Sequence, residues 1–116
     1  MALTYTPPGE LGSTCPPFRL PTVTGSPFGL EDCRQAQVLL VMFICAHCPY
    51  VQAIEERLIV LGRTYPPSQV QVVGICSNDW TDHPEDSPVN LLTRWQEKRY
   101  GFPYLLDEDQ SVAQSF

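Results

Sequence analysis

Two cysteines, Cys45 and Cys48, stand three positions apart in the segment FICAHCPYV, with His47 between them and Pro49 directly after. A dithiol at this spacing can pass two electrons to a disulfide: one thiolate attacks, and its neighbour resolves the mixed disulfide. For that, one sulfur must be ionised near neutral pH. Amide N–H groups and the positive end of a helix dipole favour an anion at a helix start. A cysteine placed there falls from a thiol pKa near 8.5 to roughly 3.5–7.5. Cys45 is accordingly expected as the exposed nucleophile just before a helix. Cys48 is expected in its first turn as the more buried resolving thiol, and a protonated His47 would lower the Cys45 pKa further. Pro49 has no N–H to donate, so it fits only the first turn, and Ala46 is the earliest acceptable N-cap.

Thiols have other uses as well. Isolated cysteines are mostly small buried hydrophobes, the reading given to Cys15, Cys33 and Cys76. A zinc site needs about four ligands, and beyond Cys45 and Cys48 it would have to draw on Cys76 and His83, whose spacing matches no common finger. No metal and no cofactor is therefore expected.

The elements that must hold the pair are legible on both sides of it. Residues 37–44, QVLLVMFI, are apolar after the first position, as in a strand covered on both faces within a parallel sheet. After the cysteines the period changes. Val51, Ile54, Leu58 and Leu61 fall on one helical face, and Gly62 lies near the expected end. VQVVGIC, residues 70–76, is again a short β-branched strand, so residues 37–76 read as one right-handed βαβ unit. Its cysteines then sit at the carboxyl end of a strand, the edge at which open α/β sheets build their sites.

Around this unit, FRLPTVTGSPFGL suggests a hairpin turning at Thr24 and Gly25, with Pro21 and Pro27 confining both arms to edge strands. NDWTDHPEDSP reads as a loop. Ser87 then N-caps a helix with Pro88 first, running to about Tyr100 and closed by Gly101. FPYLL is a short strand candidate, and a further helix begins near Asp109. Residues 1–17, with Pro7, Pro8, Pro16 and Pro17, form an extended arm, leaving residues 18–116 as one α/β domain with a mainly parallel sheet flanked by helices.

Composition excludes several classes. With 116 residues, 43% hydrophobic and 17% charged, the chain is an ordinary single globular domain. A net charge of −6 with seven scattered Lys and Arg argues against nucleic acid and anionic membranes. The N-terminus carries no basic and apolar leader, and five dispersed cysteines are not a disulfide framework, so a cytoplasmic location is expected.

FICAHCPYVQAIEERL, VQVVGICSND and HPEDSPVN followed by GFPYLLDEDQSVAQSF resemble the thioredoxin-like branch of the alkyl hydroperoxide reductase and thiol-specific antioxidant (AhpC/TSA) family. The resemblance implies a thioredoxin fold and dithiol–disulfide exchange at Cys45 and Cys48. Protein or small-molecule disulfides would be the substrates, and a separate reductant the partner. A catalytically weak binding module of the same fold is the alternative. A peroxidase is less favoured: the Pro-x-x-x-Thr-x-x-Cys signature of peroxide-reducing relatives is missing, with Met42 where the threonine would stand. Thioredoxin's buried aspartate, six positions before its first cysteine, is replaced by Leu39. The family pattern continues past residue 116 into a cis-proline segment, a hairpin and a helix, so a C-terminally truncated domain is expected. Pro103 is read as part of an extra strand rather than as that proline. With the hairpin missing, strand 37–44 would keep an open edge, through which a homodimer could form.

Overall fold

The computed structural model describes residues 11–77, 80–81 and 83–116; most of the expected N-terminal arm lies outside them. Five strands and three α-helices follow in the order β1 (Arg19–Pro21), β2 (Pro27–Gly29), β3 (Val38–Phe43), α1 (Pro49–Thr64), β4 (Val70–Cys76), α2 (Pro88–Lys98), β5 (Tyr104–Leu106) and α3 (Ser111–Ser115). Short 3-10 helices occupy Leu30–Cys33 and Pro84–Asp86.

The main sheet has the order β3-β4-β5, both pairs parallel. Its central strand, β4, is nearly all apolar, and Val73 and Ile75 have no exposed surface. One side of the sheet carries Val72, Cys76 and Tyr104 in a cluster with Ile59, Leu91 and Phe102; the other carries Val73, Ile75 and Leu105 with Phe18, Cys33 and Val112. This is the α/β layering expected of a βαβ unit and the segment after it.

The hairpin of β1 and β2 turns where the Thr24-Gly25 pair predicts. Gly25 has φ +93°, and its N–H donates to the Thr22 carbonyl over 2.9 Å. It docks beside β5, where the Val23 N–H donates to the Tyr104 carbonyl over 2.9 Å. Helix α2 is capped as its sequence predicts: Pro88 is the first residue, and the Ser87 hydroxyl accepts from the Asn90 N–H at 3.3 Å. It ends two residues earlier than expected, because Arg99 turns left-handed at φ 53° before Gly101 does so at φ 74°. Pro103 leads into β5, its carbonyl accepting from the Gly74 N–H over 3.0 Å, and no peptide bond among the described residues is cis.

Two expectations require correction. Strand β3 packs on both faces, Leu40 and Met42 against the first cluster and Leu39 and Val41 against the second, but it is only partly buried, and its ends Val38 and Phe43 are 54% and 42% exposed. Among the described residues β4 is its only strand partner, so it is the sheet's edge. The inward face of α1 is also rotated from the apolar stripe read in the sequence. Ile54 is exposed, whereas Glu55 is buried with Ile59. The cause is a polar cluster reaching over from α2. The Glu55 carboxylate accepts from the Arg94 guanidinium at 2.6 and 2.8 Å and from the Tyr100 hydroxyl at 3.1 Å. A buried carboxylate with these partners is satisfied, and the helix turns to bring it inward.

Candidate active site

Strand β3 delivers the cysteines to the carboxyl end of the sheet. The Ile44 N–H still donates to the Ile75 carbonyl at 3.0 Å, and the Ile44 carbonyl accepts from the Tyr104 hydroxyl at 3.2 Å. Burial, with Cys76 and other neighbours adding, pushes the Tyr104 hydroxyl pKa up, so it remains a neutral donor. The chain then leaves the sheet, and Cys45, Ala46 and His47 form a loop before α1. The helix starts later than expected. Pro49 is its first residue, as the missing N–H requires, and Cys48 is the N-cap, with φ −77° and ψ 117°, rather than a member of the first turn. Cys45 is half-buried and Cys48 is buried, 8% exposed, the order of accessibility expected of an attacking and a resolving thiol. No disulfide joins Cys45 to Cys48 in this structure.

Two side chains outside the motif clamp the loop. The Gln52 side-chain amide donates to the Ala46 carbonyl over 2.7 Å. The second clamp is Asp86, at the end of the 3-10 helix between β4 and α2. Its Oδ1 accepts from the Ala46 N–H at 2.7 Å and the His47 N–H at 3.3 Å, while its Oδ2 pairs with His47 Nδ1 in a very short contact. The Asp86 side chain has no exposed surface, and His47 retains 24%. The ring of His83, just before the 3-10 helix, stacks on that of His47 at 3.9 Å between centroids and 5° between planes.

Electrostatics at Cys45 therefore differ from the account the motif alone suggests. The amides of Ala46 and His47 point at the Asp86 carboxylate. Donor atoms of Cys45, His47 and Asp86 lie within 4.8 Å of one another. A carboxylate that close to a sulfur opposes a thiolate there, whereas an imidazolium would favour one. A nucleophile beside a basic side chain that a third group orients is the recurring pattern of activated nucleophiles.

Of the four residues singled out in the sequence, Cys45 and His47 lie in this loop, and Cys48 and Pro49 follow directly as the N-cap and first residue of α1. Asp86 is absent from the sequence reading, and His83 figures there only as an outlying zinc ligand. Neither of the two stands near the cysteines in sequence, but both follow β4, the parallel neighbour of β3, so their loop emerges at the same sheet edge. Cys76 and His83, the outlying candidates for a zinc set, do not join Cys45 in the group of close donors; His47 and Asp86 do. Of the remaining thiols, Cys33 is buried, and burial together with Asp32 pushes its pKa up, as suits an unreactive core residue. Beside Asp86 opens a cavity of about 500 Å³ lined by Leu20, Pro21, Trp80, Pro88 and Leu106, with Cys76 and Asp86 in its wall and Glu108 and Asp109 also lining it. Among the described residues that line it, Asp86 is the one that contacts the thiol loop, and Cys45 and Cys48 are not in its wall. No helix among the described residues is long and apolar enough to cross a membrane.

Comparison with known proteins agrees with this architecture. The sequence model of the AhpC/TSA family matches residues 11–116. The crystal structure of an uncharacterized conserved protein from Geobacillus kaustophilus superposes with a TM-score of 0.85 at 44% identity, over 91% of this chain and 57% of that one. A hypothetical protein from Sinorhizobium meliloti 1021 gives a TM-score of 0.90 at 36% identity, over 94% of this chain and 60% of that one. The chain thus spans less than two thirds of either. The peroxidoxin BcpB from Mycobacterium tuberculosis shares the fold, with a TM-score of 0.69 at 22% identity over 90% of this chain and 64% of that one. No curated protein matches.

Proposed function

The chain belongs to the AhpC/TSA family and has its thioredoxin-like fold, and from that premise we propose that it is a thiol–disulfide oxidoreductase acting through Cys45 and Cys48. The observation that carries the proposal is the arrangement at the end of β3. A half-exposed thiol and a buried one flank a histidine held by a buried carboxylate, directly before a proline-started helix. Geobacillus and Sinorhizobium relatives of undefined activity add the fold but not the chemistry.

In this reaction the Cys45 thiolate attacks one sulfur of a substrate disulfide, forms a mixed disulfide and expels the other substrate sulfur as a thiolate. Cys48 loses its proton and attacks the Cys45 sulfur. This closes a Cys45–Cys48 disulfide and releases the second substrate thiol. Two electrons have then moved from the chain to the substrate, and an external dithiol must restore them. His47 has two roles: as an imidazolium it stabilises the attacking thiolate and passes its proton to the departing substrate thiolate, and as the neutral base so formed it accepts the proton that Cys48 gives up. Asp86 fixes the ring for both. Because thioredoxin's buried aspartate is Leu39 here, His47 is the candidate for that proton transfer.

Replacing Cys48 by serine tests the sequence of steps. The Cys48→Ser chain should accumulate a mixed disulfide at Cys45 when mixed with a disulfide-bonded peptide, detected by intact mass and peptide mapping. A trap that forms at another cysteine, or none at any, would remove Cys45 from the nucleophile's role.

A further inference from the structure

Cys45, His47 and Asp86 supply three different donors, a thiol, an imidazole and a carboxylate, whose ligating atoms lie within 4.8 Å of one another. We infer that the reduced site holds a zinc-class divalent cation through Cys45 Sγ, His47 Nδ1 and an Asp86 carboxylate oxygen, and that the bound ion silences the thiol pair. The silencing rests on the proposed function; the binding does not.

The geometry is close to what the ion needs. Tetrahedral zinc takes nitrogen and oxygen at about 2.0–2.2 Å and sulfur at about 2.3 Å, which sets ligand atoms roughly 3.3–3.7 Å apart. The present limit of 4.8 Å is about an ångström wider, and Cys45 sits in a loop rather than in a strand or helix. His47 Nδ1 and Asp86 Oδ2 already face each other as a hydrogen-bonded pair, so an ion between them displaces the proton of that bond and moves the two atoms apart. A thiolate and a carboxylate together neutralise its two charges. The donor mixture selects the metal as well: a thiolate and an imidazole suit zinc, whereas magnesium and calcium require oxygen ligands.

The surroundings supply the rigidity that metal sites draw from outer partners. The Asp86 carboxylate is fixed by the Ala46 and His47 amides at 2.7 and 3.3 Å, and the His47 ring is held flat against His83. Three protein ligands leave the fourth position open to water or an incoming thiol. Cys45 cannot hold the ion and a disulfide together, so oxidation must release the metal, and the metal must block attack on a substrate.

The test is zinc titration of the reduced, desalted 116-residue chain against a chromophoric chelator. One ion should bind per chain, and excess magnesium should not displace it. Cys45→Ser, His47→Gln and Asp86→Asn should each weaken binding by roughly 10- to 100-fold or more, whereas Cys48→Ser and Cys76→Ser should leave it unchanged. Far-UV circular dichroism checks each fold, and where Asp86→Asn does not fold, His47→Gln carries the comparison. If wild type binds no tighter than Cys45→Ser, or if His47→Gln and Asp86→Asn bind as wild type while Cys48→Ser does not, the three-donor site is overturned. The latter pattern would describe a simple dithiol chelate. Disulfide exchange by the metal-free chain is measured separately. Zinc bound with the expected dependence in a chain without exchange activity supports the metal site and rejects the proposed function.

Discussion

Replacing Asp86 by alanine removes the one carboxylate that ties the thiol loop to the segment after β4. The Ala46 amide at 2.7 Å, the His47 amide at 3.3 Å and the His47 ring all lose their acceptor together. A buried donor left unsatisfied costs about 1–3 kcal/mol, and breaking a buried charge-assisted pair about 3–5 kcal/mol. The adjoining cavity of about 500 Å³ can admit water to the vacated space, which places the total at the lower end, about 2–4 kcal/mol. Against a typical net stability of about 5–15 kcal/mol that is a large loss. Asp86→Asn keeps an acceptor for the amides and should cost less, about 1–2 kcal/mol. Urea unfolding monitored by circular dichroism measures both, with the slope checked for constancy. The second readout is the rate at which iodoacetamide alkylates Cys45 as pH is varied. Both variants should change the shape of this profile, because His47 is no longer oriented beside the sulfur. An alanine variant within about 0.5 kcal/mol of wild type, with an unchanged alkylation profile, would refute the assignment of Asp86 as the clamp of the loop.

Three further outcomes are expected. Burial, with the Glu55 carboxylate adding, pushes the Tyr100 pKa up to about 12. The unfolded chain therefore releases this proton first, so stability is full below about pH 10 and falls on the order of 2–3 kcal/mol toward pH 12; Tyr100→Phe should flatten this part of the curve in alkaline urea titrations. Gly62→Ala should destabilise the fold by about 1 kcal/mol in the same assay: its new Cβ would stand 2.8 Å from Cδ1 of buried Phe102, and overpacking outweighs the gain in helix propensity. In thiol labelling without denaturant, Cys33 should react far more slowly than Cys45, because Cys33 is buried and its pKa is raised; equal rates would contradict the packing of the second core cluster.

The parts of the fold that depend on neighbours in sequence were legible. Strand β4 is apolar at every position but Gln71, α2 carries Ser87 and Pro88 where its first turn needs them, and the hairpin turn contains a glycine where φ is positive. The parts fixed by distant partners were not. Glu55 reads as a solvent-facing residue of α1 until Arg94 and Tyr100 approach it from 39 and 45 positions away. Asp86 reads as one acid among several in a proline-rich loop. It becomes part of the site only because two parallel strands end side by side and bring it to Ala46, 40 positions earlier. The start of α1 was misplaced for a local reason. Pro49 was allowed anywhere in the first turn, whereas the chain uses it as the first residue and leaves Cys48 outside. This matters for the chemistry, since neither sulfur lies within the helix and the Ala46 and His47 amides serve a carboxylate.

The central claim is that Cys45 and Cys48 form the redox pair. The most direct measurement is to equilibrate the chain in a graded series of glutathione redox buffers and map its disulfides by mass spectrometry. A Cys45–Cys48 disulfide should appear with a single midpoint and be lost in either serine variant, while Cys15, Cys33 and Cys76 remain thiols. A chain whose first disulfide joins Cys45 to Cys76, or in which Cys45 and Cys48 stay reduced where free glutathione is oxidised, would contradict it.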